Sequence, residues 1–278
     1  MPEMPEVQTL IDSLLEEDIL NKKIKDVIFY MEKLFKNCTP NEFKNFVLDE
    51  KIINIDRIGK YLIFHLSNKK VFVVHLRMEG KIFYQDSNSK YDEKHTLLRI
   101  NFGKKEMRYQ DTRKFGTFHI FLEKNYKNSK ELSKLALDPL QEGFDWKYLK
   151  CNISKSNKFI KTALLDQTNV AGIGNIYVDE ILFASKIHPE SKCNKLTDDN
   201  FKTIASNSRK IIKKAIDNKG TTISTYMYKK ESKGEFQKFL KVHTKKDSDC
   251  VNCKTKITKM KVNGRGTYIC SNCQVNKK

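Results

Sequence analysis

Asp166-Gln-Thr-Asn-Val-Ala-Gly-Ile-Gly-Asn-Ile-Tyr177 is the stretch on which the reading of this chain turns. Apolar residues before it predict a helix over 158–167. After the turn Val170-Ala-Gly-Ile-Gly174, a second helix is expected from Asn175 to about Ser185. Gly172-Ile-Gly174-Asn175 therefore opens a helix whose backbone N–H groups and amide side chain would face an anion. It is not a dinucleotide fingerprint, because no strand precedes it and G-x-G-x-x-G is absent. Outward on both sides the texture stays helical. A short helix is expected over 146–151. A longer one runs from Thr197 to about Asn218, with Thr197-Asp198 as the cap signal and Gly220 as the stop. Residues 221–246 read as a mobile loop followed by an extended segment.

Further on, Cys250-x2-Cys253 and Cys270-x2-Cys273 form two pairs. Each such turn aims two thiolates at one ion, and two turns complete a tetrahedral four-thiolate zinc site with no open position, hence a structural ion. Cys38, Cys151 and Cys193 remain scattered, so a disulfide framework is disfavoured and a cytosolic setting is expected. Between the two pairs, Lys256–Val262 and Thr267–Cys270 read as strands around Asn263-Gly264-Arg265-Gly266. The Asn-Gly hairpin signal would place Arg265 at the tip of a zinc-stapled ribbon.

The N-terminal half has a different texture. Val7, Leu10, Ile11, Leu14 and Leu15 keep helical spacing after Pro5. Short β-rich segments follow at 24–30, 52–57, 60–66, 71–76, 81–85, 97–102, 106–110 and 117–122, with a helix near 40–48. Such spacing suggests an antiparallel sandwich or barrel. The expected layout is a domain over 1–130, a linker over 131–150, a helical domain over 151–220, the connector 221–246 and the finger 247–278.

Charge points to the partner. The 278 residues carry 53 Lys or Arg against 34 Asp or Glu, a net +19. A polyanion is the default partner, although a general preference for Lys would also raise the figure. Distribution favours the polyanion. Residues 219–278 hold fourteen Lys, Arg265 and four acids, a local +11, whereas Glu3, Glu6, Asp12, Glu16, Glu17 and Asp18 stand among the first eighteen residues with no base. Helix-dipole stabilisation accounts for Glu3 and Glu6 on spacing alone. No apolar run reaches the ~18 residues of a membrane span, and the acidic start is not a secretory signal.

Six ordered blocks now resemble the bacterial formamidopyrimidine-DNA glycosylases. They are Pro2-Glu-Met-Pro-Glu-Val-Gln-Thr9, Gly59-Lys-Tyr-Leu62, His75-Leu-Arg-Met-Glu-Gly80, Asp111-Thr-Arg-Lys-Phe-Gly116, the stretch 166–177 and the finger. The resemblance implies an α+β multidomain fold: an N-terminal antiparallel β-sandwich with an N-terminal helix, a helix-two-turn-helix domain and a C-terminal zinc β-ribbon. It implies excision of oxidised purines from double-stranded damaged DNA bound between the domains. It also implies monomeric action, one structural zinc, no organic cofactor and no membrane.

Residue by residue, the resemblance makes Pro2 the nucleophile once Met1 is removed. An amine attacking the sugar C1′ expels the base, and the resulting iminium acidifies C2′–H, so one nucleophile links excision to strand cleavage. It makes Glu3 the general acid, Glu6 a supporting acid that positions the N-terminus, Lys60 the proton donor in β-elimination and Arg265 the group linked to δ-elimination. His95, Asn175 and Lys158 (or Lys161, which aligns equally well) match DNA contacts. Met78, Arg113 and Phe115 match the residues that fill the hole left by an extracted nucleotide. From composition alone Met78 and Phe115 would be ordinary core. Gln8, Thr112, Lys114 and Thr162 depart from common family residues. The rival readings are a sister glycosylase for oxidised pyrimidines and a non-catalytic binder of damaged DNA.

Overall fold

The computed structural model describes residues 1–221 and 234–277. They fall into two compact units, one over Met1–Ser133 and one joining Lys134–Thr221 to the chain from Glu235 onward. Residues 222–233, within the loop expected over 221–246, lie outside the described residues.

The first unit opens with helix α1 (Met4–Glu16), followed by β1 (Asp26–Phe29), α2 (Pro40–Val47) and the strands β2 (Ile52–Ile58), β3 (Tyr61–Leu66), β4 (Lys70–His75), β5 (Lys81–Asp86), β6 (Thr96–Asn101), β7 (Lys105–Gln110) and β8 (Thr117–Leu122). They make two antiparallel sheets, ordered β1-β6-β7-β5 and β2-β3-β4-β8. This is a sandwich, and the barrel alternative falls away. Alternate side chains from both sheets meet in one core, where Ile82, Leu98, Ile100 and Met107 face Leu62, Phe64, Phe72 and Val74. Phe64 stacks on Phe72 with ring centroids 4.3 Å apart, and Phe43 of α2 packs edge-on against Phe72 and Phe118. Val7, Leu10, Ile11 and Leu14 bury the apolar stripe of α1 in the same core.

The second unit holds α3 (Trp146–Ile153), α4 (Ile160–Leu165), α5 (Asn175–Ala184), α6 (Asp198–Asp217) and a ribbon of β9 (Thr258–Val262) and β10 (Arg265–Ile269). Thr197 caps α6 by accepting the Asn200 N–H. One expectation needs correction. Within the linker expected over 131–150, the residues from Lys134 onward belong to the second unit. The Tyr148 hydroxyl accepts the Leu137 N–H at 2.9 Å, and the Arg209 guanidinium of α6 donates to the carbonyls of Pro139 and Phe144 at 3.1 and 2.9 Å. The finger packs on the helices, where Phe183 of α5 meets Cys250, Ile257 and Cys270. The segment expected to be extended before the finger contains a short 3-10 turn at Phe236–Phe239.

Candidate active site and nucleic-acid interface

In the first unit, the N-terminus is built in. Met1 is 47% exposed, but every residue from Pro2 to Val7 is buried. Glu3 is the N-cap of α1, and its backbone N–H donates to Glu6 Oε2 at 2.9 Å. Glu6 therefore complements the helix dipole and also fixes the segment that carries Pro2.

Lys60 sits in the two-residue turn between β2 and β3, where Gly59 takes the left-handed φ of 57°. It is 6% exposed, so it is not the solvated strand-edge lysine that composition alone would suggest. Arg57 ties this turn to α1. Its Nε donates to Gln8 Oε1 at 3.1 Å and its Nη1 to the Gly59 carbonyl at 3.0 Å. Gln8 thus supplies an acceptor where relatives often carry Glu.

Sequence reasoning missed His75, at the end of β4. Burial first, then the charges of Arg77 and Lys60, push its imidazole down to about 3. Its Nδ1 accepts the Arg77 N–H at 2.9 Å, which leaves the proton on Nε2. A neutral donor beside a lysine suits an anionic oxygen. The signal available was its place at the head of the block His75-Leu-Arg-Met-Glu-Gly80, which gave it no role of its own.

Met78 stands in the turn at 77–79 and Phe115 in the turn after β7, 37% and 53% exposed respectively. Neither is core. The Arg113 guanidinium lies 5.0 Å from the centroid of the Phe115 ring. Nearby, His95 Nδ1 lies 2.6 Å from Asp92 Oδ2, and the His95 carbonyl accepts the Asp111 N–H at 3.0 Å. The bond to His95 holds the Asp92 carboxyl below its usual range.

In the second unit, the turn ahead of α5 is held by Gln167. Its Oε1 accepts the Gly172 N–H at 2.9 Å, and its Nε2 donates to the Leu165 and Ile173 carbonyls. Asn175 begins the helix, but its amide does not simply face outward as expected. Its Nδ2 donates to the Gly266 carbonyl at 2.9 Å and anchors the ribbon to the helix. Arg265 is exposed, and it opens β10 opposite Val262, one residue past the turn Asn263-Gly264 (φ 45° and 76°). It stands beside the tip, not at it.

Burial separates Lys158 from Lys161. Lys158 is exposed, with Nζ 3.5 Å from Asp166. Lys161 is 0% exposed, and its Nζ donates to Asp179 Oδ1 at 2.7 Å, to Thr267 Oγ1 at 2.8 Å and to the Gly266 carbonyl at 3.3 Å. Asp179 Oδ2 in turn lies 2.8 Å from His243 Nδ1. Lys161 is internal and bonded to the protein itself.

The four cysteine sulfurs lie within 4.8 Å of one another. A zinc–sulfur bond of about 2.3 Å in a tetrahedron requires sulfurs about 3.8 Å apart. Cys250 and Cys273 stand at 3.8 Å and Cys253 and Cys270 at 3.4 Å. Cys250, Cys253, Cys270 and Cys273 fit one structural zinc ion.

Three family profiles match in order along the chain: the formamidopyrimidine-DNA glycosylase N-terminal domain over residues 1–118, the H2TH domain of the same enzymes over 135–227, and the zinc finger found in FPG and IleRS over 249–275. The chain belongs to the formamidopyrimidine-DNA glycosylase family. Named members similar to it include those of Ureaplasma parvum, 50% identical over 99% of this chain and 100% of that protein, and Mycoplasma pneumoniae, 47% identical over the full length of both. Among solved structures, a Lactococcus lactis FPG variant in complex with Fapy-dG-containing DNA is similar with a TM-score of 0.93. It is 36% identical and covers 98% of this chain and 99% of that one. Among the described residues of this family member, no helix is long and apolar enough to cross a membrane.

Proposed function

We propose that this chain is a bifunctional DNA glycosylase and AP lyase for oxidised purines, with Pro2 as its nucleophile. One observation carries the assignment of the nucleophile. Terminal residues of a domain usually fray, yet here Pro2 and Glu3 are buried and clamped by Glu6. A fixed terminus suits an amine that must meet a sugar carbon in one orientation. With Met1 removed, the Pro2 nitrogen attacks C1′. The C1′–N bond breaks, and its electron pair leaves with the base, which takes a proton. Glu3 is the acid for ring opening, Lys60 serves β-elimination, and Arg265 serves δ-elimination on the phosphates.

Lys158, His95 and Asn175 are assigned to the DNA backbone. For Asn175 this role comes in addition to its bond to the ribbon. Met78, Arg113 and Phe115 are assigned to the void, and their exposure supports that use over a core role. The protein acts as a monomer on double-stranded damaged DNA, without an organic cofactor, in the bacterial cytoplasm. Related Lactococcus lactis FPG structures hold Fapy-dG-containing DNA, abasic-site DNA and DNA with an oxidised pyrimidine, so it is membership of the formamidopyrimidine-DNA glycosylase family that supports purine damage over the pyrimidine-specific reading.

Borohydride reduction tests the proposal. The mature protein is expected to be trapped covalently on a duplex carrying 8-oxoguanine opposite cytosine, and Pro2→Gly is expected to lose most of that adduct. DNA binding without a wild-type adduct would refute the enzymatic reading. Faster excision of thymine glycol than of 8-oxoguanine would favour the sister specificity.

A further inference from the structure

Met78 and Phe115 belong to separate turns in sequence, yet both turns meet the buried Tyr109 of the first unit, whose hydroxyl is bonded to Asp111. Asp111, 1% exposed, accepts the backbone N–H of Arg113 on Oδ1 and those of Phe115 and Gly116 on Oδ2, each at 2.9 Å. Its fourth donor is the Tyr109 hydroxyl, 3.1 Å from Oδ2. Tyr109 is 0% exposed and reaches between the two turns. A Cβ at Gly116 or at Gly80 would collide with its hydroxyl. Gly80 closes the other turn by donating its N–H to the Leu76 carbonyl at 3.0 Å.

The turns also share a backbone feature. Arg77, just before Met78, has φ 55°, and Lys114, just before Phe115, has φ 59°. Non-glycine residues hold this left-handed region only when their surroundings impose it. The bonds that flank Lys114 all end on Asp111, and those made by the Arg77 and Gly80 N–H groups close the first turn.

We propose that Tyr109 and Asp111 are positioning residues that hold the Met78 and Phe115 turns as one preformed wedge. The side chains that enter the duplex are thereby set before DNA arrives and act together. The proposal rests on the void-filling reading of Met78, Arg113 and Phe115. Asp111 fixes the backbone of one turn. The Tyr109 hydroxyl joins that carboxylate to the Gly80 end of the other. Neither residue needs to touch DNA.

The test uses a duplex with a tetrahydrofuran abasic analogue beside 2-aminopurine, whose fluorescence rises when the stack is opened. Tyr109→Phe and Asp111→Asn are expected to lose most of the rise seen with wild type. They are also expected to bind this duplex about tenfold more weakly, the factor set by one lost buried hydrogen bond. Borohydride trapping on a single-stranded abasic oligonucleotide, which has no stack to open, should stay within about twofold of wild type. Adding Met78→Ala to Tyr109→Phe should cost less than Met78→Ala costs alone, because coupled residues are not additive.

Phe115→Ala serves as the control on the underlying reading. If it leaves the fluorescence rise intact, the void-filling assignment fails and the hub fails with it. If Phe115→Ala abolishes the rise but Tyr109→Phe matches wild type in fluorescence and affinity, the hub alone is overturned. Equal losses of Tyr109→Phe on duplex and single-stranded substrates would also overturn it, by showing a general loss of structure.

Discussion

His75 shows how one residue can tie the proposed chemistry to stability. An ordinary imidazole titrates near 6.5, whereas in the folded chain burial and neighbouring cations take this one to about 3. Between those values the unfolded chain binds a proton that the folded chain refuses. The stabilisation is therefore complete above pH 6.5 and is lost as pH falls toward 3, by about 1.4 kcal/mol per pH unit. Urea unfolding from pH 7 to 4 should show wild type losing stability faster than His75→Gln by that slope. Parallel curves would show that the histidine titrates normally. The same neutrality fits the site, since a protonated His75 would crowd Lys60 with a second charge.

At the level of elements, side-chain hydrogen bonds fasten the ribbon to the helices. Lys161 of α4 reaches Thr267, Asn175 of α5 reaches Gly266, and Asn263 in the hairpin turn donates to Thr162 Oγ1 at 2.8 Å. Thr162, a departure from family usage, thus supplies an acceptor that proline would not. Replacing Lys161 by Met would leave Asp179 charged and buried without its cation, a change expected to cost about 3–5 kcal/mol in thermal unfolding of the zinc-loaded protein. Lys158→Met, three residues away and exposed, should stay within about 0.5 kcal/mol. Equal effects of the two would contradict the burial argument.

Periodicity and turn residues were enough to locate the eight strands of the first unit, the helices and the hairpin, because each is a local pattern. The zinc site was legible for the same reason, since its ligands come in two short pairs. The Lys161–Asp179–His243 cluster was not, because Asp179 and His243 lie 64 residues apart and no spacing rule joins them. The linker at 131–150 was misread because its polar composition hides the carbonyls that Arg209 collects. Arg265 was placed one position off because the two-residue turn leaves it already paired with Val262.

For the molecule as a whole, the net charge of +19 makes affinity for DNA a salt-dependent quantity. Log affinity should fall linearly with log salt, by about 0.9 for each phosphate neutralised. Arg265→Ala and Lys158→Met should each reduce that slope by about 1 while leaving lesion preference unchanged. A slope unaltered by Arg265→Ala would remove that side chain from the backbone contacts.

The division into units has a further consequence, for synthesis on the ribosome. The sandwich strands come from one early, continuous stretch, so their core can close while the rest of the chain is still being made. Lys161 must wait for Thr267, 106 residues later. At ~5–20 residues per second that is a delay of about 5–20 s. Throughout it, the lysine and Asp179 lack the strand that buries them, and early collapse of α4 on α5 would strip water from charges with an incomplete set of partners. Early docking of α4 on α5 therefore carries a desolvation cost that the last strand relieves when Thr267 and Gly266 complete the set of partners.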